Sequence, residues 1–98
     1  MIESKMDNVT MMTKANIYWD GKVTSRTGYR KDGSKFTLGI ITAGTYTFDV
    51  GDKEVVTLIT GEAEIILPGE NQWHTVKAPD IFEIPAHCQY QIRTPEGV

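Results

Sequence analysis

Short runs in which apolar or β-branched residues alternate with polar ones recur along most of the chain, and this pattern predicts β-strands. Turn signals rich in Gly, Pro and Asp separate the runs at intervals of about ten residues, for example Asp20-Gly21, Gly51-Asp52 and Pro68-Gly69. No stretch carries the apolar stripe of an amphipathic helix. The predicted strands lie at 36–42, 45–49, 54–60, 63–67, 73–77, 81–84 and 88–94. The sequence therefore predicts an all-β protein.

Residues 1–14 differ from the rest because they contain Met6, Met11 and Met12 without sustained periodicity. We expect them to form a flexible N-terminal arm that is disordered or lies on a neighbouring subunit. The remaining residues, 15–98, are expected to form a single domain. A chain of 98 residues with 40% hydrophobic content can bury one modest core but not two.

The period of two in a strand sorts the side chains into two faces. We expect one face of each run to point into the domain, and a register slip of one residue would reverse that choice. The residues that share such faces are Tyr46 and Phe48; Glu54, Val56 and Leu58; Phe82 and Ile84; and Cys88, Tyr90 and Ile92. An interior built this way is aromatic and contains one carboxylate.

Composition excludes several classes of function. A net charge of −3 and scattered basic residues argue against a dedicated nucleic-acid binder, which needs clustered Lys and Arg. The single cysteine, Cys88, excludes an internal disulfide, and no apolar run approaches the roughly 20 residues of a membrane span. The N-terminal residues lack the uninterrupted apolar region of a signal peptide. We therefore expect a cytoplasmic protein with no membrane partner.

The stretch from Glu54 to Gly61 and residues 79–90 form two motifs that resemble those of the cupins, which are small jelly-roll barrels of the RmlC-like type. Glu54 is followed at the expected spacing by Gly61, as in the E-x6-G half of the first cupin motif, and residues 79–90 resemble the second motif, G-D-x3-I-P-A-G-x2-H. Tyr90 stands where that motif has a histidine, and no histidine precedes His74. The resemblance implies a cupin barrel over residues 15–98, whereas the missing histidines predict that it binds no metal.

A second resemblance covers nearly the whole chain after residue 15. The stretches that carry it are 16–27, 37–40, 44–48, 59–61, 67–69, Trp73 and 82–86. They are similar to the small single-domain cupins called pyrimidine/purine nucleoside phosphorylases. The resemblance implies a homodimeric bacterial transferase that uses inorganic phosphate, and no cofactor, to cleave purine and pyrimidine nucleosides into free base and ribose 1-phosphate. It also implies a further short strand beyond the position of Val98, where this sequence ends.

Phosphorolysis of a nucleoside needs a negative group near the cationic sugar, a site for phosphate and stabilisation of the departing base. Glu54 is the candidate for the first role and His87 for an acid that protonates the base. The candidates for phosphate binding are Arg26, Arg93 and Lys22, and those for binding the nucleoside are Tyr46, Phe48, Phe82, Tyr90 and Gln89. Each has a structural alternative: an exposed carboxylate at a strand start, solvated surface arginines, and aromatic residues that belong to the core.

Three functions remain open from the sequence. The first is metal-independent nucleoside phosphorolysis of broad specificity, with nucleosides and phosphate as partners. The second is a non-catalytic cupin that binds a small metabolite, which the absence of an evident acid–base pair favours. The third is a metal-dependent cupin enzyme that uses Glu54 with His87 and one further ligand.

Overall fold

The computed structural model describes residues 5–98, and these residues form β-strands joined by short connections. The strands are β1 (Thr10–Met11), β2 (Asn16–Tyr18), β3 (Val23–Tyr29), β4 (Lys35–Ile41), β5 (Gly44–Val50), β6 (Glu54–Thr57), β7 (Glu62–Ile66), β8 (His74–Lys77), β9 (Ile81–Ile84) and β10 (Cys88–Thr94). The helical structure within 5–98 is one short 3-10 turn at Trp19–Gly21. The prediction of an all-β protein is confirmed. No helix in this part of the chain is both long and apolar enough to cross a membrane.

The described residues divide into two compact units, one spanning residues 5–41 and the other residues 42–98. In the first unit β3 is central: β1 and β2 pair with its two ends along one edge, and β4 pairs with its other edge, all antiparallel. Residues 1–4 of the predicted arm lie outside the described residues, but Thr10–Met11 form β1 and pair with Tyr29 and Gly28 of β3. The flexibility of the arm stays a prediction.

The second unit contains a four-stranded sheet in the order β5-β10-β7-β8 and a two-stranded sheet of β6 and β9. β10 lies between β5 and β7 and pairs with both, so that Tyr90 lies opposite Phe48, and Ile92 lies opposite both Tyr46 and Ile65. Within residues 5–98 the strand pairing leaves every sheet open. The structure therefore supports the all-β class but not a closed barrel.

Alternation along the strands places the core of the second unit as the sequence predicts. Tyr46 and Val50 of β5 and Tyr90 and Ile92 of β10 are buried, whereas Thr47, Gln89 and Gln91 between them are exposed. The two-stranded sheet contributes Ile84, which is completely buried. The other buried residues of this unit are Leu58, Ala63, Ile65, Val76 and Thr94. Glu54 begins the predicted inward set of β6 but is exposed, Val56 is half-buried and Leu58 is buried.

Gly61 of the E-x6-G motif lies in the connection between β6 and β7, and its backbone requires glycine. Its φ is +82°, in the left-handed region, and a Cβ placed there would lie 2.5 Å from the carbonyl oxygen of Gly97. The Ala78 amide donates a hydrogen bond to the Gly61 carbonyl at 3.0 Å. This tight connection fixes where β7 begins, and so fixes its register beside β10.

Candidate active site

The inner face of the four-stranded sheet carries a stacked aromatic pair. The rings of Phe48 and Tyr90 lie with centroids 5.7 Å apart and an interplanar angle of 22°, because the two residues face each other on neighbouring strands. Tyr46, on the same face, is held at its hydroxyl, which lies 3.1 Å from the Thr42 hydroxyl and donates to the Ala43 carbonyl at 3.3 Å. The strands thus define the positions of three aromatic rings, of which Phe48 is half-buried and Tyr46 and Tyr90 are buried.

The negative charge of Glu54 influences the ionisation of the Tyr90 hydroxyl in this pair. Burial, and after it the negative charge of Glu54 and the neighbouring Cys88, together raise the pKa of Tyr90 to about 12. Glu54 itself is exposed at the start of β6, where it lies opposite Ile84 of β9. An accessible carboxylate thus lies close enough to a buried phenol to disfavour a second negative charge there.

The two-stranded sheet and the turn after it position two further predicted residues. Phe82 of β9 lies opposite Val56 and is half-buried. His87 has φ +56° and is exposed, and its backbone N–H donates to the Gly51 carbonyl at 2.8 Å. The second cupin motif has glycine at this position, and the left-handed backbone explains that preference. His87 therefore projects from a turn that the backbone conformation and this hydrogen bond define.

Gln89 and Arg93 lie on the opposite face of β10 from the ring of Tyr90. The Gln89 side-chain amide donates to Asp49 Oδ1 at 2.8 Å. Arg93 Nε donates to Glu64 Oε1 at 2.9 Å, and its guanidinium lies 4.0 Å from the centre of the Trp73 ring. The structure does not bring these two side chains to the aromatic pair. Their predicted roles in base and phosphate binding stay predictions.

The other two basic candidates belong to the first unit. Arg26 lies on β3 opposite Leu38, is exposed, and donates from Nε to the Thr13 carbonyl at 3.3 Å. Lys22 is exposed directly after the 3-10 turn, and its backbone N–H donates to the Trp19 carbonyl at 3.1 Å. Phosphate binding by either residue stays a prediction. Across residues 5–98, no three His, Cys, Asp or Glu side chains are grouped so that they could hold a metal ion.

Sequence reasoning missed a depression of about 220 Å³ on the outer face of the four-stranded sheet. Its lining is Thr47, Ile66, Leu67, Pro68, Glu70, Gln89, Tyr90 and Gln91. Alternation would have placed Thr47 and Gln91 on one face of neighbouring strands. The connection after β7, which forms one wall, carries no such periodic signal.

A family model described as pyrimidine/purine nucleoside phosphorylase matches residues 13–98. The chain belongs to this enzyme family. A pyrimidine/purine nucleoside phosphorylase of Syntrophotalea carbinolica is 45% identical over 93 residues, which are 95% of this chain and 89% of the relative. One from Wolinella succinogenes is 44% identical over 92 residues, 94% of this chain and 88% of the relative. The family resemblance found in the sequence is confirmed.

The fold also matches solved structures. A protein of unknown function from Acinetobacter sp. ADP1 superimposes with a TM-score of 0.93 at 29% identity, covering 97% of this chain and 92% of that one. A second such protein, from Acidithiobacillus ferrooxidans, gives a TM-score of 0.79 at 26% identity and covers 90% of this chain and 83% of that one. The arrangement of strands in this nucleoside phosphorylase family member is therefore shared with experimentally determined folds.

Proposed function

We propose that this protein is a cytoplasmic, cupin-like enzyme that cleaves purine and pyrimidine nucleosides with inorganic phosphate, without a metal or other cofactor. The proposal rests on the position of Glu54. Its negative charge contributes to the raised pKa of Tyr90, which stacks on Phe48. Membership of the nucleoside phosphorylase family gives the reaction class.

In the proposed reaction the bond between the sugar C1′ and the base nitrogen breaks, and a bond between C1′ and a phosphate oxygen forms. The sugar carries positive charge in the transition state, so a nearby carboxylate lowers the barrier. Glu54 is accessible and can supply this charge. The departing base takes up a proton, for which His87 is the proposed donor at its exposed turn.

Broad specificity follows if the base is held by stacking and not by its hydrogen-bonding edge. Every nucleobase presents a π-face, so an aromatic surface binds purines and pyrimidines alike. Tyr46, Phe48 and Tyr90 lie on one sheet face, and Phe82 is half-buried on β9. The stacked pair already has its rings 5.7 Å apart, so a base would extend the stack at a ring face or edge.

Arg26 is the first candidate for phosphate binding. The guanidinium of Arg93 donates to the Glu64 carboxylate and covers Trp73, which accounts for its position without a ligand. Arg26 is exposed and its side chain donates to a single carbonyl within residues 5–98. A guanidinium with free donors suits phosphate, which it can bind through two parallel hydrogen bonds.

The assay follows release of free base from uridine, cytidine, adenosine, guanosine and inosine, with and without phosphate. We expect Glu54→Ala to reduce the phosphate-dependent kcat by about 100-fold or more, the usual cost of removing an electrostatic group at a transition state. Glu83→Ala is the matched control, because Glu83 is an exposed carboxylate on β9 that pairs with Lys53 at 2.9 Å. In the same assay Arg26→Gln should raise the KM for phosphate.

Equal losses in Glu54→Ala and Glu83→Ala would contradict the role of Glu54. Binding of nucleosides without turnover by the wild-type protein would overturn the enzyme proposal and support a non-catalytic cupin that binds a small metabolite. Release of base without phosphate would identify a hydrolase instead. The chromatograms distinguish phosphorolysis from hydrolysis, and a binding titration with the same nucleosides detects binding without turnover.

We propose further that the protein is a homodimer. The sheet of the first unit exposes Ile17, Leu38 and Ile40, with Ile17 and Ile40 each opposite Thr24 on β3 and therefore on one face. These apolar side chains, which share their face with Arg26, form a suitable surface for pairing with the same face of a second copy across a twofold axis.

A further inference from the structure

The outer face of the four-stranded sheet is built from cross-strand rows of polar side chains. In one row Gln89 donates to Asp49 at 2.8 Å, and in another Arg93 donates to Glu64 at 2.9 Å. Both rows are therefore paired within the protein.

The row between them consists of Thr47, Gln91 and Ile66, which lie opposite one another on β5, β10 and β7. Within residues 5–98, neither the Thr47 hydroxyl nor the Gln91 carboxamide makes a hydrogen bond to protein. Thr47 and Gln91 of this row line the outer-face depression, and they present one hydroxyl and one carboxamide to a ligand there.

One wall of the depression is apolar and is held in place. Ile66, Leu67 and Pro68 form it, at the end of β7 and the start of the following connection. Glu70 fixes this connection: its Oε1 accepts a hydrogen bond from the Leu67 backbone N–H at 2.8 Å, and its Oε2 lies 2.8 Å from His74 Nε2. These two partners hold the pKa of Glu70 below its usual value. The wall is thus formed before any ligand binds.

The combination of a free carboxamide with an apolar wall selects a ligand chemistry. A carboxamide has a donor and an acceptor side by side, and its complement is a planar edge with an N–H beside a carbonyl or ring nitrogen. The apolar wall suits one face of such a ring. A depression of about 220 Å³ is smaller than the pockets that hold drug-sized molecules, so the ligand has one or two rings.

We propose that the outer-face depression binds a small planar heterocycle with a lactam or amidine edge, of the kind carried by a free nucleobase, through the Gln91 carboxamide and the wall formed by Ile66, Leu67 and Pro68. The choice of a nucleobase among such heterocycles rests on the proposed function, whereas the edge and ring follow from the lining. Tyr90 is also among the lining residues, but Gln91 and the ring of Tyr90 lie on opposite faces of β10, so the Gln91 carboxamide faces away from the inner aromatic pair.

The test is an NMR titration of the full protein with 1-methyluracil, which keeps its N–H between two carbonyls. The control ligand is 1,3-dimethyluracil, which has the same ring but no N–H donor. We expect saturable shifts of the Gln91 side-chain amide and of the Leu67 and Glu70 backbone amides, with a dissociation constant on the order of 1 mM for so small a ligand. The dimethyl compound should bind about 10-fold more weakly.

Three variants make the assignment specific. Gln91→Leu should weaken binding of 1-methyluracil about 10-fold, and Gln91→Glu, which keeps the size but loses the amide donors, should weaken it as well. Thr45→Ala is the control on the same outer face of β5 and lies outside the depression. All three changes are at exposed positions, so each protein can be checked for an unchanged fold in the same spectra.

Equal affinity for the two ligands, unchanged affinity in Gln91→Leu, or shifts confined to Phe48, Phe82 and Tyr90 would each overturn the proposal. The titration contains no phosphate and no nucleoside, so it is independent of turnover. Normal binding of 1-methyluracil by a protein without phosphorylase activity would support the proposed ligand site in the depression and contradict the proposed function. If the enzyme is active but does not bind 1-methyluracil, only the proposed ligand site in the depression is contradicted.

Discussion

Tyr90 joins the core to the candidate site, and its ionisation gives a prediction about stability. Its pKa is raised from 10.0 to about 12, first by burial and then by Glu54 and Cys88. The folded state therefore holds a proton that the unfolded chain releases near pH 10. This contribution to stability is complete below pH 10 and is lost as the pH rises towards 12, by about 2–3 kcal/mol.

The Tyr90→Phe variant has no hydroxyl to ionise, so its free energy of unfolding should fall less between pH 10 and 12 than that of the wild-type protein. Urea unfolding of both proteins across this range measures the difference, and the other titrating groups cancel in the comparison. Glu54→Gln should lower the pKa of Tyr90 in a tyrosinate absorbance titration. Parallel loss of stability in wild type and Tyr90→Phe would contradict the environment described for Tyr90.

At single residues, alternation predicted burial well but not chemical grouping. It placed Tyr46, Tyr90 and Ile92 inward because a strand fixes the direction of each side chain. Gln89 was grouped with Tyr90 because an amide can bind a base edge, yet adjacent strand residues face opposite ways. Glu54 is exposed because it lies at the start of a strand in a two-stranded sheet. The local alternation of residues does not predict that position.

Among the elements, the connection between β6 and β7 is where a single methyl group should have a large effect. Gly61→Ala combines a left-handed backbone at φ +82° with a contact of 2.5 Å to the Gly97 carbonyl oxygen, so we expect the free energy of unfolding to fall by about 2 kcal/mol or more. Gly51→Ala is the control, since its Cβ would meet nothing within 4 Å. Chemical denaturation measures both, and equal changes would contradict the account.

The sequence predicted seven runs that the structure shows as strands, because β-branched and aromatic alternation is a local property. Alternation alone did not mark β3, because the sequence Val-Thr-Ser-Arg-Thr-Gly-Tyr is mostly polar although it lies at the centre of a sheet. Strand partners join residues far apart in sequence, as when Tyr90 pairs with Phe48. Closure into a barrel depends on such long-range pairings. The cupin motifs therefore suggest a barrel, whereas the alternation within single strands does not predict one.

For the whole molecule, composition excluded classes of function, whereas the motifs indicated the family. A net charge of −3 argues against a dedicated nucleic-acid binder. The E-x6-G spacing and the order of the matching stretches led to the family that the comparison over residues 13–98 then established. The candidate site has no equally specific signal, since its aromatic residues are also good core residues. Partners of the whole protein are inferred from its exposed surface, and the sequence alone does not show which side chains are exposed.

The proposed homodimer is tested at the apolar face of the first sheet, where Ile17 is 65% and Ile40 62% exposed. Ile40→Glu places a charge on this face and should produce a monomer at about 10 μM, because an unpaired charge is costly to bury. Val55→Glu is the control: Val55, on β6 of the other unit, is 65% exposed, and this variant should remain a dimer. Sedimentation equilibrium measures all three masses. A monomeric wild-type protein, or a dimeric Ile40→Glu variant, would show that this face does not join two copies.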